Sequence, residues 1–177
     1  MQSPSKNLKI VLFGQINVGK TNLINRFVED TFIEGLIIGS GIKNKEVILS
    51  IGETVNVQIW DYWCSEKQYV LNPIQNYLKD TDGVILVYDV NDKSTLNDLN
   101  TLFENIKGKL SNKIPIILIG NKKDTNKGNY QVTIEEGQAF ANKNGCFRFF
   151  EVSAKENINV NNSFLCLIEK AYQNKFN

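Results

Sequence analysis

Residues Gly14 to Thr21 read Gly-Gln-Ile-Asn-Val-Gly-Lys-Thr and fit the spacing G-x-x-x-x-G-K-[ST]. An apolar run, Ile10 to Phe13, precedes them, and a helical pattern, Leu23, Ile24 and Phe27, follows. A strand, a tight loop and a helix N-terminus in that order make an anion cradle, because successive backbone amides point inward and the helix dipole favours negative charge. Gly14 and Gly19 let the backbone turn closely around a phosphate, with Asn17, Val18 and Asn22 in the same loop and first turn. Lys20 adds a positive charge, and the Thr21 hydroxyl is of the type that ligates magnesium.

With 177 residues, 42% of them hydrophobic and 22% charged, the chain reads as one globular domain, 1–177, able to bury a substantial core. A formal net charge of +1 argues against nucleic acid as the main partner. Histidine is absent, which removes Ser-His, Cys-His and His-zinc chemistry. The 3 cysteines, Cys64, Cys146 and Cys166, lack metal spacing and fit a reducing compartment better than secretion. No apolar run reaches the ~18 residues of a membrane span, and Met1 to Leu8 is polar, so the expectation is a cytoplasmic chain.

The patterning alternates strands and helices. Strands are expected at about Leu8–Phe13, Val84–Tyr88, Ile114–Ile119 and Phe147–Val152. Two of these, Val84–Tyr88 and Ile114–Ile119, are continuous apolar runs of the kind buried on both faces. Val47 to Ile59 places Val47, Leu49, Ile51, Val55, Val57 and Ile59 on odd positions around Gly52-Glu53, which predicts an antiparallel hairpin with one face in the core. Helices are expected at Lys20–Val28, after Ser94 as a cap, after the Thr133/Glu136 capping box, and from Ile158 to Tyr172 with Phe164, Leu165, Ile168 and Tyr172 inward. Asp30 to Ile42, with Gly35, Gly39 and Gly41, reads as a mobile loop. These elements assemble into an α/β fold, a doubly wound sheet with ligand loops at the carboxyl ends of its strands.

Three further clusters sit at strand ends: Trp60-Asp61, Asn121-Lys122-Lys123-Asp124 and Ser153-Ala154-Lys155. With Val57-Gln58-Ile59-Trp60-Asp61, Tyr88-Asp89-Val90-Asn91-Asp92 and Glu151 to Lys155, the chain resembles the Ras superfamily of small GTPases, and the Rab branch most closely, over essentially its whole length. The resemblance implies a P-loop NTPase fold: a six-stranded, mostly parallel sheet with one antiparallel edge hairpin and helices on both faces. It implies GTP/GDP and Mg2+ as ligands. Asp124 would accept from the guanine N1 and amino groups, a charged bidentate contact that adenine cannot return. Asn121 would hold the loop and base edge, Lys122 would lie along the ring, the Ala154 amide beside Ser153 and Lys155 would meet the base oxygen, and Phe32 would pack against the base. Asp61 would hold magnesium through water.

The pattern breaks at the positions that sense the γ-phosphate. Counted from Lys20, the family threonine falls at Gly39, with Ser40 next to it as the substitute if the loop slips by one residue. After Asp61 the family expects Thr-Ala-Gly-Gln, where this chain has Tyr62-Trp63-Cys64-Ser65. The side chain of Cys64 puts the γ-phosphate contact in doubt, and Ser65 is too short to orient a water. Ile16 occupies a place that usually leaves room near the transferring group. Because phosphoryl transfer rests on positioning and charge stabilisation, binding is expected to persist while hydrolysis is very slow. Tyr62 and Trp63 read as packed loop aromatics or, on a switch surface, as part of a protein contact.

The expected role is regulation of vesicle traffic or signalling by a monomer that presents residues about 30–45 and 61–75 to effectors and regulators. The other readings are a non-switching interaction module that keeps the fold and an ATP-using phosphotransferase, the latter disfavoured by Asn121 to Asp124. The last cysteine is Cys166 and residue 2 is Gln2, so neither prenylation nor myristoylation is encoded in these residues, and the expectation is either a further tail or membranes reached only through partners.

Overall fold

The structure is a computed structural model that describes residues 6–35, 41–62, 74–125 and 128–177. Its elements run β1 Asn7–Phe13, α1 Lys20–Glu29, β2 Ile42–Ile48, β3 Thr54–Asp61, α2 Ile74–Leu78 and β4 Gly83–Asp89. They continue with α3 Lys93–Lys107, β5 Ile116–Asn121, α4 Ile134–Lys143, β6 Arg148–Glu151 and α5 Val160–Phe176. One six-stranded sheet has the order β2-β3-β1-β4-β5-β6. Every pairing is parallel except β2 with β3.

The continuous apolar strands are covered on both faces, and alternation sorts their side chains into two layers. Ile10 and Leu12 of β1, Ile85 and Val87 of β4, and Ile117 and Ile119 of β5 pack toward α1 and α5, where they meet Leu23, Ile24, Phe27, Phe164, Leu167 and Ile168. Phe27 and Phe164 stack with centroids 4.4 Å apart, which joins these two helices. Val11, Phe13, Val84, Leu86, Tyr88 and Leu118 face the other way, toward α2, α3 and α4. β1 is central, flanked by β3 and β4, so the loop leaving Phe13 opens where the winding of the chain changes direction.

Several boundaries differ from the pattern-based expectation. β2 begins at Ile42, well before Val47, because its polar residues Lys43 to Glu46 pair with β3 over the full length of that strand. Ile51 lies in the connecting turn and is exposed, whereas Val47, Leu49, Val55, Val57 and Ile59 are buried. Asp92, not Ser94, caps α3: its carboxylate accepts from the Ser94 amide at 3.0 Å and the Ser94 hydroxyl at 2.6 Å. β5 starts at Ile116, leaving Ile114 ahead of it, and α5 starts at Val160 with Leu165 only half-buried. The Thr133/Glu136 capping box is present on α4. α2, five residues long, has no counterpart in the sequence pattern.

Candidate functional site

The loop between β1 and α1 is held by close backbone approaches. A Cβ on Gly14 would stand 2.3 Å from the Val87 carbonyl oxygen, so the loop lies against β4 in a way no side chain permits. Gly19, at φ 93°, is the N-cap of α1 and supplies no side-chain cap, in contrast to Asp92 on α3 and Thr133 on α4. The first turn of α1 also carries no acidic residue of its own. The Lys20 side chain, buried, folds back across the loop, and its Nζ donates to Gly14 O at 2.9 Å and Gln15 O at 2.7 Å. Asn17 sits in the left-handed region at φ 68°, Val18 is fully buried, and Ile16 is 42% exposed.

Thr21 and Asp61 meet at the end of β3, where the Thr21 hydroxyl donates to Asp61 Oδ2. Asp61 is buried, and burial pushes its carboxyl above the ordinary carboxylate value, partly offset by the Thr21 hydroxyl and the Lys20 charge. A hydroxyl beside one buried carboxylate fits a small hard cation that keeps waters and takes its other ligands from phosphate.

A second set of loops converges beside the first. Asn121, at the end of β5 and 1% exposed, donates from Nδ2 to Val18 O at 2.9 Å and accepts at Oδ1 from the Ala154 amide at 3.2 Å. One carboxamide therefore joins the loop after β1, the end of β5 and the loop after β6. Ser153 donates from its hydroxyl to Asp124 Oδ1 at 2.6 Å and accepts from the Glu156 amide at 2.9 Å. Lys122 adopts φ 67° and pairs through Nζ with Asp89 Oδ2 at 2.7 Å. The loop after β1, the end of β3 at Asp61 and the loops after β4, β5 and β6 thus meet at one edge of the sheet.

A family model described as Ras family matches residues 9–173. Ras-related protein RABE1d of Arabidopsis thaliana is 36% identical over 168 residues, which span 94% of this chain and 76% of that protein. GTP-binding protein ypt2 of Schizosaccharomyces pombe is 36% identical over 169 residues, 95% of this chain and 82% of that protein. Human Ras-related protein Rab-12 is also 36% identical, over 92% of this chain and 66% of its own length. The chain belongs to the Ras family. It is a Rab-like small GTP-binding protein, and its sheet and helices are those of the Ras-like P-loop fold.

In this Ras-family protein the remaining candidates fall around the same edge. Phe32 is half-buried against the layer that contains Phe27. Lys155 is exposed and pairs with Glu34 at 3.4 Å. Asn22 has both polar ends engaged, its Nδ2 donating to Ile33 O at 2.8 Å and its Oδ1 accepting from the Ile33 amide at 3.0 Å. The first part of the expected mobile loop, residues 30–34, is thus tied to α1 and to the loop after β6. Tyr62 is buried edge-to-face on Phe13 with centroids 5.3 Å apart, the packed reading of that aromatic. Gly39, Ser40, Trp63, Cys64 and Ser65 lie outside the described residues, as does much of the 30–45 and 61–75 surface. No helix among the described residues is long and apolar enough to cross a membrane.

Arg26 belongs to none of the motifs. Its guanidinium donates to Ala154 O at 3.0 Å, Lys155 O at 3.1 Å and Asp30 O at 2.9 Å, which fastens α1 to the loop after β6. The signal in the sequence is slight: Arg26 is the one charged side chain between Thr21 and Val28.

Proposed function

We propose that this chain binds GTP and GDP together with magnesium, hydrolyses GTP very slowly, and regulates vesicle traffic or signalling through effector proteins. The observation that carries the reading is the Asn121 carboxamide, which couples the phosphate-type loop at Val18 to the loop of Ala154, beside an Asp124 held by Ser153. In this reading the amides of Gly14 to Thr21, including those of Asn17, Val18 and Gly19, surround the phosphates, and Lys20 swings from its backbone acceptors to the β- and γ-phosphates. Asp124 accepts from the guanine edge, Lys122 lies along the base with Phe32 near it, and the Ala154 amide exchanges Asn121 for the base oxygen. Asn22 contributes only its main-chain amide, since its side chain is committed to Ile33.

Thr21 directly and Asp61 through water would hold the magnesium. A cation held by these two residues would supply neutralisation of charge on the phosphate oxygens. Slow hydrolysis follows from composition: Gly39, Cys64 and Ser65 stand where the family has the threonine, glycine and glutamine that sense the γ-phosphate and orient water. Those same replacements favour a second reading, an interaction module that keeps the fold without switching.

The test is to denature the purified protein and identify the released nucleotide by chromatography. Guanine nucleotide near one per chain is the expected result, and GTP in place of GDP would mark lost hydrolysis. A nucleotide-free protein that binds neither GDP nor GTP in calorimetry would instead leave the interaction module, and ATP at comparable affinity would overturn the base assignment.

A further inference from the structure

Lys123 stands between the two residues expected to read the base, yet the motif gives it no contact with a ligand. It is held at four points. Its amide donates to Val152 O at 3.1 Å, and its carbonyl accepts from the Tyr130 hydroxyl at 2.7 Å. Its Nζ pairs with Glu151 Oε2 at 2.6 Å and lies 3.9 Å from the centroid of the Tyr130 ring. The ion pair is partly sheltered, with the side chains 29% and 13% exposed, so water screens it less than a surface pair.

These anchors come from two different elements. Glu151 closes β6, and Val152 and Ser153 follow it directly. Tyr130 belongs to the segment before α4, which is itself tied to the end of β4 by the Val132 amide donating to Val90 O at 3.1 Å. Lys123 therefore sets the position of the loop after β5 against both neighbours. Its own neighbour Lys122 sits at φ 67°, a conformation long side chains adopt only where the surroundings enforce it. Its other neighbour, Asp124, keeps its carboxylate aimed through Ser153, which lies one residue beyond the Val152 carbonyl that Lys123 holds.

We propose that Lys123 is a positioning residue for base discrimination. By clamping the loop after β5 to Glu151, Val152 and Tyr130, it fixes the distance between the Asp124 carboxylate and the loop of Ser153 and Ala154. It acts through Asp124 and touches no ligand. The proposal rests on the reading that Asp124 recognises guanine.

The experiment compares GDP, IDP and ADP binding by calorimetry in the wild type and in K123M, K123R and Y130F. IDP lacks only the 2-amino group that Asp124 would accept from, so the GDP to IDP affinity ratio reports where that carboxylate sits. K123M keeps the aliphatic stem without the charge; K123R can restore both the ion pair and the stacking. The expected result is a GDP to IDP ratio that falls about tenfold in K123M, the scale of one charge-assisted hydrogen bond, falls in the same direction in Y130F, and recovers in K123R. A ratio unchanged in K123M and Y130F, whatever happens to their melting temperatures, would overturn the proposal and leave Lys123 a structural lysine. If K123M does not fold, the ratio in Y130F decides alone. A wild type that fails to prefer GDP over IDP would overturn the guanine reading and the role of Lys123 with it, an outcome visible before any variant is made.

Discussion

The Asn121 side-chain amide donates to the Val18 carbonyl at 2.9 Å, across 103 residues of sequence, and the other end of the same group accepts from Ala154. Both bonds are buried, so Asn121→Ala leaves a carbonyl and an amide unpaired at once. The expected cost is about 2 kcal/mol in stability, read as a lower urea midpoint with unchanged slope, together with faster release of bound nucleotide. Gly19→Ala should act on the same joint, because its Cβ would stand 2.4 Å from Asn121 Nδ2 at a φ of 93°. Wild-type midpoints in both variants would show that Asn121 does not couple the two loops.

Asp61 yields a prediction whose sign depends on magnesium. Burial holds its carboxyl above the ordinary value of 3.8, so without metal or nucleotide the folded state binds that proton more tightly than the unfolded chain. The resulting stabilisation is complete below the unfolded value and is lost as pH rises through the higher folded value. At pH 7 the ionised carboxylate therefore opposes folding, and Asp61→Asn should raise the melting temperature of the chelator-treated protein. The advantage should shrink as pH falls through the raised folded value, where the buried wild-type carboxyl takes up its proton. In magnesium and GDP the order should invert if, as proposed, Asp61 holds the cation through water, since the substitution removes that carboxylate. A variant less stable than wild type at pH 7 without metal would mean that the Thr21 hydroxyl and Lys20 charge outweigh burial.

Tyr88 carries a hydroxyl buried between Gly120 and Gly137, so close that a Cβ on either glycine would stand 2.6 Å from it, and it has no hydrogen-bond partner among the described residues. Burial, with the Glu151 and Glu136 carboxylates nearby, raises its pKa well above the usual phenol value. Tyr88→Phe removes an unsatisfied polar group at little change in shape, so stability should rise by about 1 kcal/mol in urea denaturation. A fall of that size would show instead that the hydroxyl is bridged to the second unpartnered group, Glu151 Oε1.

The legible parts of this chain are those written in consecutive residues. Val84 to Tyr88 announces a strand buried on both faces, Thr133 with Glu136 announces a helix start, and Gly14 to Thr21 announces a strand, loop and helix in order. Ser94 misleads as a cap because Asp92 and Ser94 are both capping types two residues apart, and only geometry shows which one receives the other's amide. The first half of β2 carries no apolar alternation; its pairing is imposed by β3. α2 is too short to display a helical period. In the site, the motif residues are visible, but Arg26 reaches Ala154 and Lys123 reaches Glu151 through contacts between distant segments, and nothing in local spacing encodes such partners.

Asn22 closes the segment that carries Phe32. It is 8% exposed, and its carboxamide forms a reciprocal pair with the main chain of Ile33, donating at 2.8 Å and accepting at 3.0 Å. Asp30 is also held, by Arg26 and by Asn157 Nδ2 at 3.0 Å, whereas the Lys155–Glu34 pair, with side chains 55% and 86% exposed, is screened by water and adds little. The buried pair is thus the fastening that matters. A fastening made equally with and without nucleotide slows entry and exit alike. Asn22→Ala keeps the main-chain amide and removes the fastening, so association and dissociation of a fluorescent GDP should both accelerate, on the order of tenfold for two neutral hydrogen bonds, with the dissociation constant nearly unchanged. Lys155→Met should leave the gating of both rates within about twofold, apart from any contact of its own with the base. Stopped-flow measurement of the two rates separates the cases: acceleration of dissociation alone would place Asn22 among the direct ligands of the nucleotide and remove the gate.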